Sequence, residues 1–148
     1  MRVEYRYTYE TTPEELWPIL NDPDVLKRRL PGCKRLEEVG EGKYTSELGL
    51  DVGPVKGTFT GEVEVLDPDP PKEYKLHLKG SGKPGEIDAV AQIRLEEQEG
   101  KTVLTCSADA HVTGIMASVG QRIMGGVAKL LLGQFFKGVD QEMKRAKS

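Results

Sequence analysis

A glycine-rich segment has the spacing of a phosphate-binding loop. Residues Gly80 to Gly85 satisfy GxGxxG, the pattern that receives a dinucleotide pyrophosphate. That chemistry requires a helix N-terminus directly after the loop, whereas residues 87 to 95 alternate with the period of a strand. Pro84 also stands where a Walker loop needs Ser or Thr to bind magnesium. The segment is therefore interpreted as a hairpin turn.

Histidine and cysteine side chains are too few and too scattered to predict a reactive site. His77 and His111 have the strand parity opposite to the apolar residues, so both are expected to be exposed, without a third ligand or base partner. Cys33 and Cys106 form no CxxC or metal-ligand pattern. Cys106 is expected to be a small buried side chain, whereas Cys33 is either packed in a loop or accessible and reactive. The sequence predicts no catalytic residue, no metal ligand and no cofactor.

The elements that would position a site begin with a strand, because residues 3 to 9 alternate between apolar and polar side chains. Thr12 and Asp22, each followed by proline, predict the N-caps of two short helices. Pro18 is expected to kink or end the first of them. From Lys34 to about Val112, six further stretches alternate with period two between turn signals. This pattern predicts an antiparallel meander and seven strands in all.

After Gly114 the apolar residues recur at spacings of three and four, which predicts one long helix to about Lys144. Phe136 falls on the polar side of this predicted helix. The segment also contains five glycines, each costing up to about 1 kcal/mol relative to alanine in a helix interior. Close approach of the helix to a sheet or a ligand would explain them.

The inward strand positions facing this helix are short of side-chain volume. They carry glycine, alanine or cysteine where larger apolar residues are usual. Such small residues either leave a cavity or allow the helix to pack unusually close to the sheet, and the pattern alone favours neither. In a cavity, the tyrosines of the first strand would supply phenol hydroxyls, as a few polar groups do in most apolar pockets.

A run of positive charge surrounds the second short helix. Such a run is either a solvated face or a surface attracted to anionic headgroups or an acidic partner, worth about 1 kcal/mol per residue near a charged bilayer. Weak peripheral membrane contact is the functional expectation. The residues concerned are Lys27, Arg28, Arg29, Lys34 and Arg35.

Length and composition restrict the remaining possibilities. The 148 residues predict a single domain, and the net charge of −3 lacks the positive excess of a nucleic-acid-binding protein. The longest stretch without a charged residue, Ala110 to Gln121, is well short of the roughly 20 residues that span a bilayer. The first residues have no apolar core of the signal-peptide type, so a signal peptide is not expected. A cytoplasmic protein is expected, peripheral at the inner face of the membrane if the basic run makes contact there.

Six short motifs occur in an order that is specific when they are taken together. They are Asn21-Asp22-Pro23, Leu30-Pro31-Gly32-Cys33, Val52-Gly53-Pro54-Val55-Lys56-Gly57, Gly82-Lys83-Pro84-Gly85, Gly120-Gln121-Arg122 and Gln134-Phe135-Phe136. With them the chain resembles, over nearly its whole length, the family of the G subunit of carbon monoxide dehydrogenase, in the START-like polyketide cyclase (SRPBCC) superfamily. The resemblance implies an α+β helix-grip fold over residues 1–148. In this fold a curved, seven-stranded antiparallel sheet has two short helices after its first strand and a long C-terminal helix packed across it.

The resemblance also implies a function. It indicates a non-catalytic domain that holds an apolar small molecule, either a lipid or a quinone-like compound. It further implies a link to maturation or membrane recruitment of a molybdenum-containing carbon monoxide dehydrogenase. Together with the volume deficit it favours a cavity, whose expected lining is Tyr5, Tyr7, Tyr9, Phe59, Gly61, Ala89, Ala91, Cys106, Ala108, Ala110, Val119, Ile123 and Val127.

A second function remains open at this point. A polyketide cyclase or hydrolase of the same superfamily would use the same cavity for catalysis, and would need an acid or base inside it. No Asp, Glu or His falls at an inward strand position in the predicted register. This distribution favours the carrier.

Overall fold

A computed structural model describes residues 1–147, which form seven strands and four helices. The order is that of an α+β helix-grip fold, with two short helices after the first strand and a long helix at the end. The elements are β1 (Arg2–Tyr9), α1 (Pro13–Leu20), α2 (Pro23–Arg29), β2 (Cys33–Gly40), β3 (Lys43–Val52), β4 (Val55–Asp69), β5 (Glu73–Gly82), β6 (Gly85–Gln98), β7 (Lys101–Val112), α3 (Ile115–Ser118) and α4 (Gln121–Lys147).

The two short helices begin where the capping signals predict. The hydroxyl of Thr12 accepts a hydrogen bond from the Glu15 amide at 3.3 Å, and the Asp22 carboxylate accepts one from the Asp24 amide at 2.9 Å. Proline fills the first helical position after each cap, where its missing amide hydrogen costs nothing. Pro18 does not end α1, which continues to Leu20.

The strands form one antiparallel sheet in the order β1-β7-β6-β5-β4-β3-β2. Strands β2 to β7 are a meander, and β1 completes the sheet by pairing with β7. The predicted turn at the glycine-rich segment is confirmed, because Gly82 pairs with Gly85 at the end of the β5–β6 hairpin. Strand β6 follows that loop. The helix N-terminus that a dinucleotide site would require after the loop is therefore not formed there.

The predicted long helix is interrupted near its start. Gly120 has φ of +99°, a left-handed conformation that breaks the helix and separates α3 from α4. The expectation of one continuous helix from Gly114 is therefore wrong at this end. Phe136, the apolar outlier on the polar side of the predicted helix, is buried, and its ring stacks on Tyr5 with centroids 5.6 Å apart.

Helix α4 lies against β1, α1 and α2, and two of its glycines make that approach possible. A Cβ at Gly133 would lie 3.3 Å from Tyr5 Oη, and one at Gly138 would lie 2.8 Å from Arg29 Cδ. Gly125 and Gly126 face open space, so close packing does not explain them. Because α4 contacts the sheet along β1, it extends over the rest of the curved sheet without filling the space between helix and sheet.

Candidate functional site

A cavity of about 330 Å³ lies between the inner face of the sheet and the helices, large enough for a small-molecule ligand. Its floor is built from inward-facing residues of β3 to β6, together with Cys106 of β7. Residues of α1, α2, α3 and α4 form the opposite side, including Leu20, Leu26, Met116 and Val127. The small inward residues thus leave space, and the alternative of uniformly close packing is wrong for this half of the sheet.

The structure brings six of the predicted lining residues to the cavity wall. Strand alternation points the floor residues inward, and Val127 enters from the buried face of α4. Gly61 and the two alanines create the space because they have little or no side chain. The six residues are Phe59, Gly61, Ala89, Ala91, Cys106 and Val127.

The three tyrosines of β1 do not line the cavity, although they lie on the predicted inner face. Helix α4 packs directly over them, and two of their hydroxyls bond to it. Tyr9 donates to the Phe136 carbonyl at 2.8 Å, and Tyr7 donates to the Asp140 carboxylate at 2.7 Å. Burial, followed by the bond to Asp140, raises the pKa of Tyr7 to about 12. Tyr5, Tyr7 and Tyr9 therefore fix α4 to the edge of the sheet.

Four further predicted residues also lie outside the cavity lining. Ala108 packs at the edge of the core around Tyr9, and Ala110 pairs with the first residue of the chain through its backbone. Val119 lies in the link between α3 and α4. Ile123 is 54% exposed because it is one residue, or about 100° of helix, away from the buried Met124.

Several residues that line the cavity are not predicted to do so from the sequence. Alternation places Ser46 and Tyr74 on inward strand faces, but it does not indicate which inward residues α4 leaves uncovered. In α2 and its C-cap, Leu26 and Leu30 have the i,i+4 spacing of one helical face and cover one side of the cavity. That spacing is the signal that could identify α2 as part of the wall.

The wall is almost entirely apolar, and no charged side chain points into the cavity. Glu62 and Lys79 are the only residues with charged side chains among those lining it within residues 1–147, and both side chains are exposed on the outer face of the sheet. Burial raises the pKa of the Cys106 thiol to about 11, and burial likewise raises the pKa of Tyr74. Both groups are therefore neutral near pH 7.

The histidines lie away from this cavity. His77 Nε2 is 2.7 Å from Asp88 Oδ1 on the outer face of the sheet, and His111 is exposed. Residues 1–147 contain no group of three or more His, Cys, Asp or Glu side chains arranged to hold a metal ion.

The predicted basic run is divided between two roles. Arg28 and Arg29 both bind Glu142 of α4, with Nε to Oε1 distances of 2.8 Å and 3.1 Å. Arg35 contacts Glu37 at 3.0 Å, while Lys27 and Lys34 are exposed. The run is therefore not one uniform surface, because its two central arginines connect α2 to α4.

The outer face of α4 is a second basic surface, and it includes apolar side chains. Ile123 and Leu130 are 54% and 50% exposed, and Lys137 and Lys144 continue the same seven-residue spacing. The acidic residues of the helix, Asp140 and Glu142, are turned inward to Tyr7 and the arginines, and Asp140 Oδ2 also lies 3.3 Å from Lys144 Nζ. We call the stripe of Arg122, Ile123, Lys129, Leu130, Lys137 and Lys144 the α4 outer face.

No helix in residues 1–147 has the length and apolar content required to cross a membrane.

Comparisons with known proteins agree with this architecture. A conserved protein from Geobacillus kaustophilus is 39% identical, with a TM-score of 0.95 over 99% of this chain and 97% of that one. A START superfamily protein from Mycobacterium smegmatis is 11% identical, with a TM-score of 0.73 over 98% of each chain. The Zhui aromatase/cyclase from a Streptomyces species is 16% identical, with a TM-score of 0.73 over 100% of this chain and 96% of that one. The last two likenesses show the fold alone.

No curated protein matched the sequence. The family model for CoxG, the G subunit of carbon monoxide dehydrogenase, matches residues 8–144, almost the entire chain. This chain therefore belongs to the CoxG family of carbon monoxide dehydrogenase subunits and has a START-like helix-grip fold.

Proposed function

We propose that the protein is a non-catalytic carrier that holds one apolar small molecule, a lipid or quinone-like compound, in its cavity. The observation that carries this proposal is the cavity of about 330 Å³, whose wall is apolar and presents no charged side chain to the interior. Removal of apolar ligand surface from water would supply the binding free energy, at roughly 25 cal/mol per Å².

The chemistry of the wall favours a carrier over a cyclase. A cyclase needs a group that gives or takes a proton near neutral pH. Among the described wall residues the titratable side chains directed inward are Tyr44, Tyr74 and Cys106, and burial raises the pKa of each. A thiol or phenol with a raised pKa is a weak nucleophile and a poor general base at pH 7.

The family relation supports the partner that we propose for this carrier. The family is named for the CoxG subunit of carbon monoxide dehydrogenase. We infer that the protein acts with a molybdenum-containing dehydrogenase, in its maturation or membrane recruitment. The α4 outer face is the surface that we propose meets an anionic membrane, since it combines positive charge with exposed apolar side chains and presents no exposed acid.

Binding of an uncharged fluorescent probe, N-phenyl-naphthylamine, tests the carrier directly. We expect saturable binding, with one probe per chain, and displacement of the probe by lipid extracted from the natively isolated protein. Mass spectrometry of that extract should show an apolar compound in stoichiometric amount. A folded protein that binds no probe and yields no such compound would contradict the carrier.

Flotation with liposomes tests the proposed membrane surface. Replacing Ile123 and Leu130 by serine should reduce flotation with anionic liposomes, because their exposed apolar side chains would no longer enter the interface. The matched control replaces Val39 and Val90, which are also exposed but lie in β2 and β6, by serine. Binding of the unmodified protein should weaken as salt rises, since exposed charges are screened within about 10 Å at 0.1 M. Equal losses in the two double variants would exclude α4 as the contact surface.

A further inference from the structure

One row of residues across the floor of the cavity differs from the rest of the wall. The strand register places Ser46 beside Gly61, Gly61 beside Gly80, and Gly80 beside Ile87. A Cβ at Gly61 would lie only 2.6 Å from Ser46 Oγ. Because Gly61 has no side chain, the Ser46 hydroxyl itself lies over the glycine backbone, and we call this part of the cavity floor the recess.

The hydroxyl in this recess has no partner. Ser46 is 2% exposed and lines the cavity, and within residues 1–147 its Oγ makes no hydrogen bond. Buried polar groups are hydrogen-bonded in the great majority of cases, because leaving one unpaired is costly. A lone buried hydroxyl that faces a cavity therefore indicates a partner supplied by a ligand.

The charged groups around Ser46 restrict the chemistry of the ligand group that can bind its hydroxyl. The side chains of Glu62 and Lys79 lie on the outer face of the sheet, and the ammonium group of Met1 is held by the Ala110 carbonyl of β7 at 2.7 Å, three strands away from Gly61 of β4. No cationic side chain therefore compensates an anion in the recess. Burying an unpaired carboxylate is far more costly than burying a neutral group. The recess fits an uncharged oxygen, such as that of a ketone, an ether or an alcohol.

The other hydroxyl without a partner in the described cavity wall lies far from the first. Tyr74 is 3% exposed and is six positions from Gly80 along β5, about 20 Å at roughly 3.3 Å per residue. Its ring packs edge-on against Trp17 of α1. The inward residues between the two hydroxyls are apolar, so the two groups can be tested separately.

We propose that Ser46 is the hydrogen-bonding anchor of the cavity, and that it selects neutral ligands with an uncharged oxygen over hydrocarbons and over carboxylates such as fatty-acid anions. The oxygen of the ligand accepts a hydrogen bond from the Ser46 hydroxyl in this recess, and the apolar part of the ligand extends along β5 toward Tyr74. This inference rests on the proposed carrier function and specifies the class of ligand.

Three compounds with one carbon skeleton test the selection: butylbenzene, butyrophenone and phenylbutyrate. Each is measured by displacement of N-phenyl-naphthylamine at pH 7. In the unmodified protein we expect butyrophenone to bind about two- to tenfold more tightly than butylbenzene, the range of one neutral hydrogen bond. Phenylbutyrate should bind at least about tenfold more weakly than butyrophenone.

The variant Ser46→Ala should remove the advantage of butyrophenone over butylbenzene, with both affinities calculated from the probe affinity measured for the same variant. The matched control Tyr74→Phe removes the other unpartnered hydroxyl and should preserve that advantage. A second variant, Gly61→Ala, keeps the serine but places a methyl group 2.6 Å from the present position of its hydroxyl, which must turn away, so the advantage should also be lost. Thermal unfolding of each variant shows that the fold is retained.

The experiment distinguishes failure of the carrier from failure of the Ser46 anchor. If the unmodified protein binds no probe, the carrier itself is wrong. If it binds the probe but Ser46→Ala retains the preference for butyrophenone, the carrier stands and the anchor is overturned. Loss of the preference in Tyr74→Phe alone, or preferred binding of phenylbutyrate, would likewise overturn the assignment to Ser46.

Discussion

Replacing Ala91 by phenylalanine is expected to displace the apolar probe while the free energy of unfolding holds or rises. Ala91 is buried at the floor of the cavity, so the added ring enters empty space. Full burial of a phenylalanine side chain is worth about 1.5 to 3 kcal/mol relative to its exposure. The ring should raise the dissociation constant of the probe by about tenfold or more, a loss of about 1.4 kcal/mol or more. Fluorescence titration and thermal unfolding measure the two effects.

The matched control is the same substitution at Ala108, the cross-strand neighbour of Ala91. Ala108 packs against the core around Tyr9 and does not line the cavity. Because Ala108 is half-buried, a ring inserted there meets packed side chains on its buried side, at a cost of about 1 to 3 kcal/mol. If Ala91→Phe lost as much stability as Ala108→Phe and the probe still bound, this part of the sheet would not face a ligand cavity.

Loss of the Glu142 carboxylate is expected to destabilise the protein by about 2 kcal/mol. Glu142 is 7% exposed and accepts hydrogen bonds from Arg28 and Arg29, which join α2 to α4. Hydrogen bonds to charged groups contribute about 1.5 to 3 kcal/mol, and Glu142→Ala removes the shared acceptor. The melting temperature should fall by about 4 to 8 °C for a chain of this size. Because α2 and its C-cap carry Leu26 and Leu30 of the cavity wall, probe release should also become faster.

The control Glu142→Gln preserves the shape of the side chain and one acceptor oxygen, so its loss of stability should be smaller.

The stability of the unmodified protein should also depend on pH. The hydrogen bond from Arg28, assisted by that from Arg29, lowers the pKa of Glu142 below its ordinary value near 4.5. A lowered folded-state pKa gives stability that is present above about pH 4.5 and is lost as the pH falls through the folded-state value. Equal stability of Glu142→Ala and the unmodified protein would show that the bonds from Arg28 and Arg29 to Glu142 contribute nothing to the free energy of unfolding.

Local patterns are sufficient to predict the elements, because caps, turns and strand alternation depend on neighbouring residues. Thr12 and Asp22 start helices as predicted, and the meander has its predicted strands. The break at Gly120 escapes prediction because apolar spacing continues across it, and only the backbone conformation reveals it.

The boundary of the cavity cannot be predicted in the same way. Alternation gives the face on which Tyr7 lies, but not whether a helix from the other end of the chain covers it. The ion pair of Arg28 with Glu142 joins residues 114 positions apart, so the charge pattern around α2 gives no sign of it. Long-range contacts of this kind decide which inward residues become cavity wall and which become packed core.

The pairing of β1 with β7 has a consequence for synthesis of the protein. Arg2 lies 107 positions from its partner Asp109, so the first strand leaves the ribosome long before the strand that completes its hydrogen bonds. At roughly 5 to 20 residues per second, that interval is about 5 to 20 seconds. During this time an alternating, tyrosine-rich strand is open to aggregation, and the charges of Arg2, Glu4 and Arg6 act as gatekeepers against it.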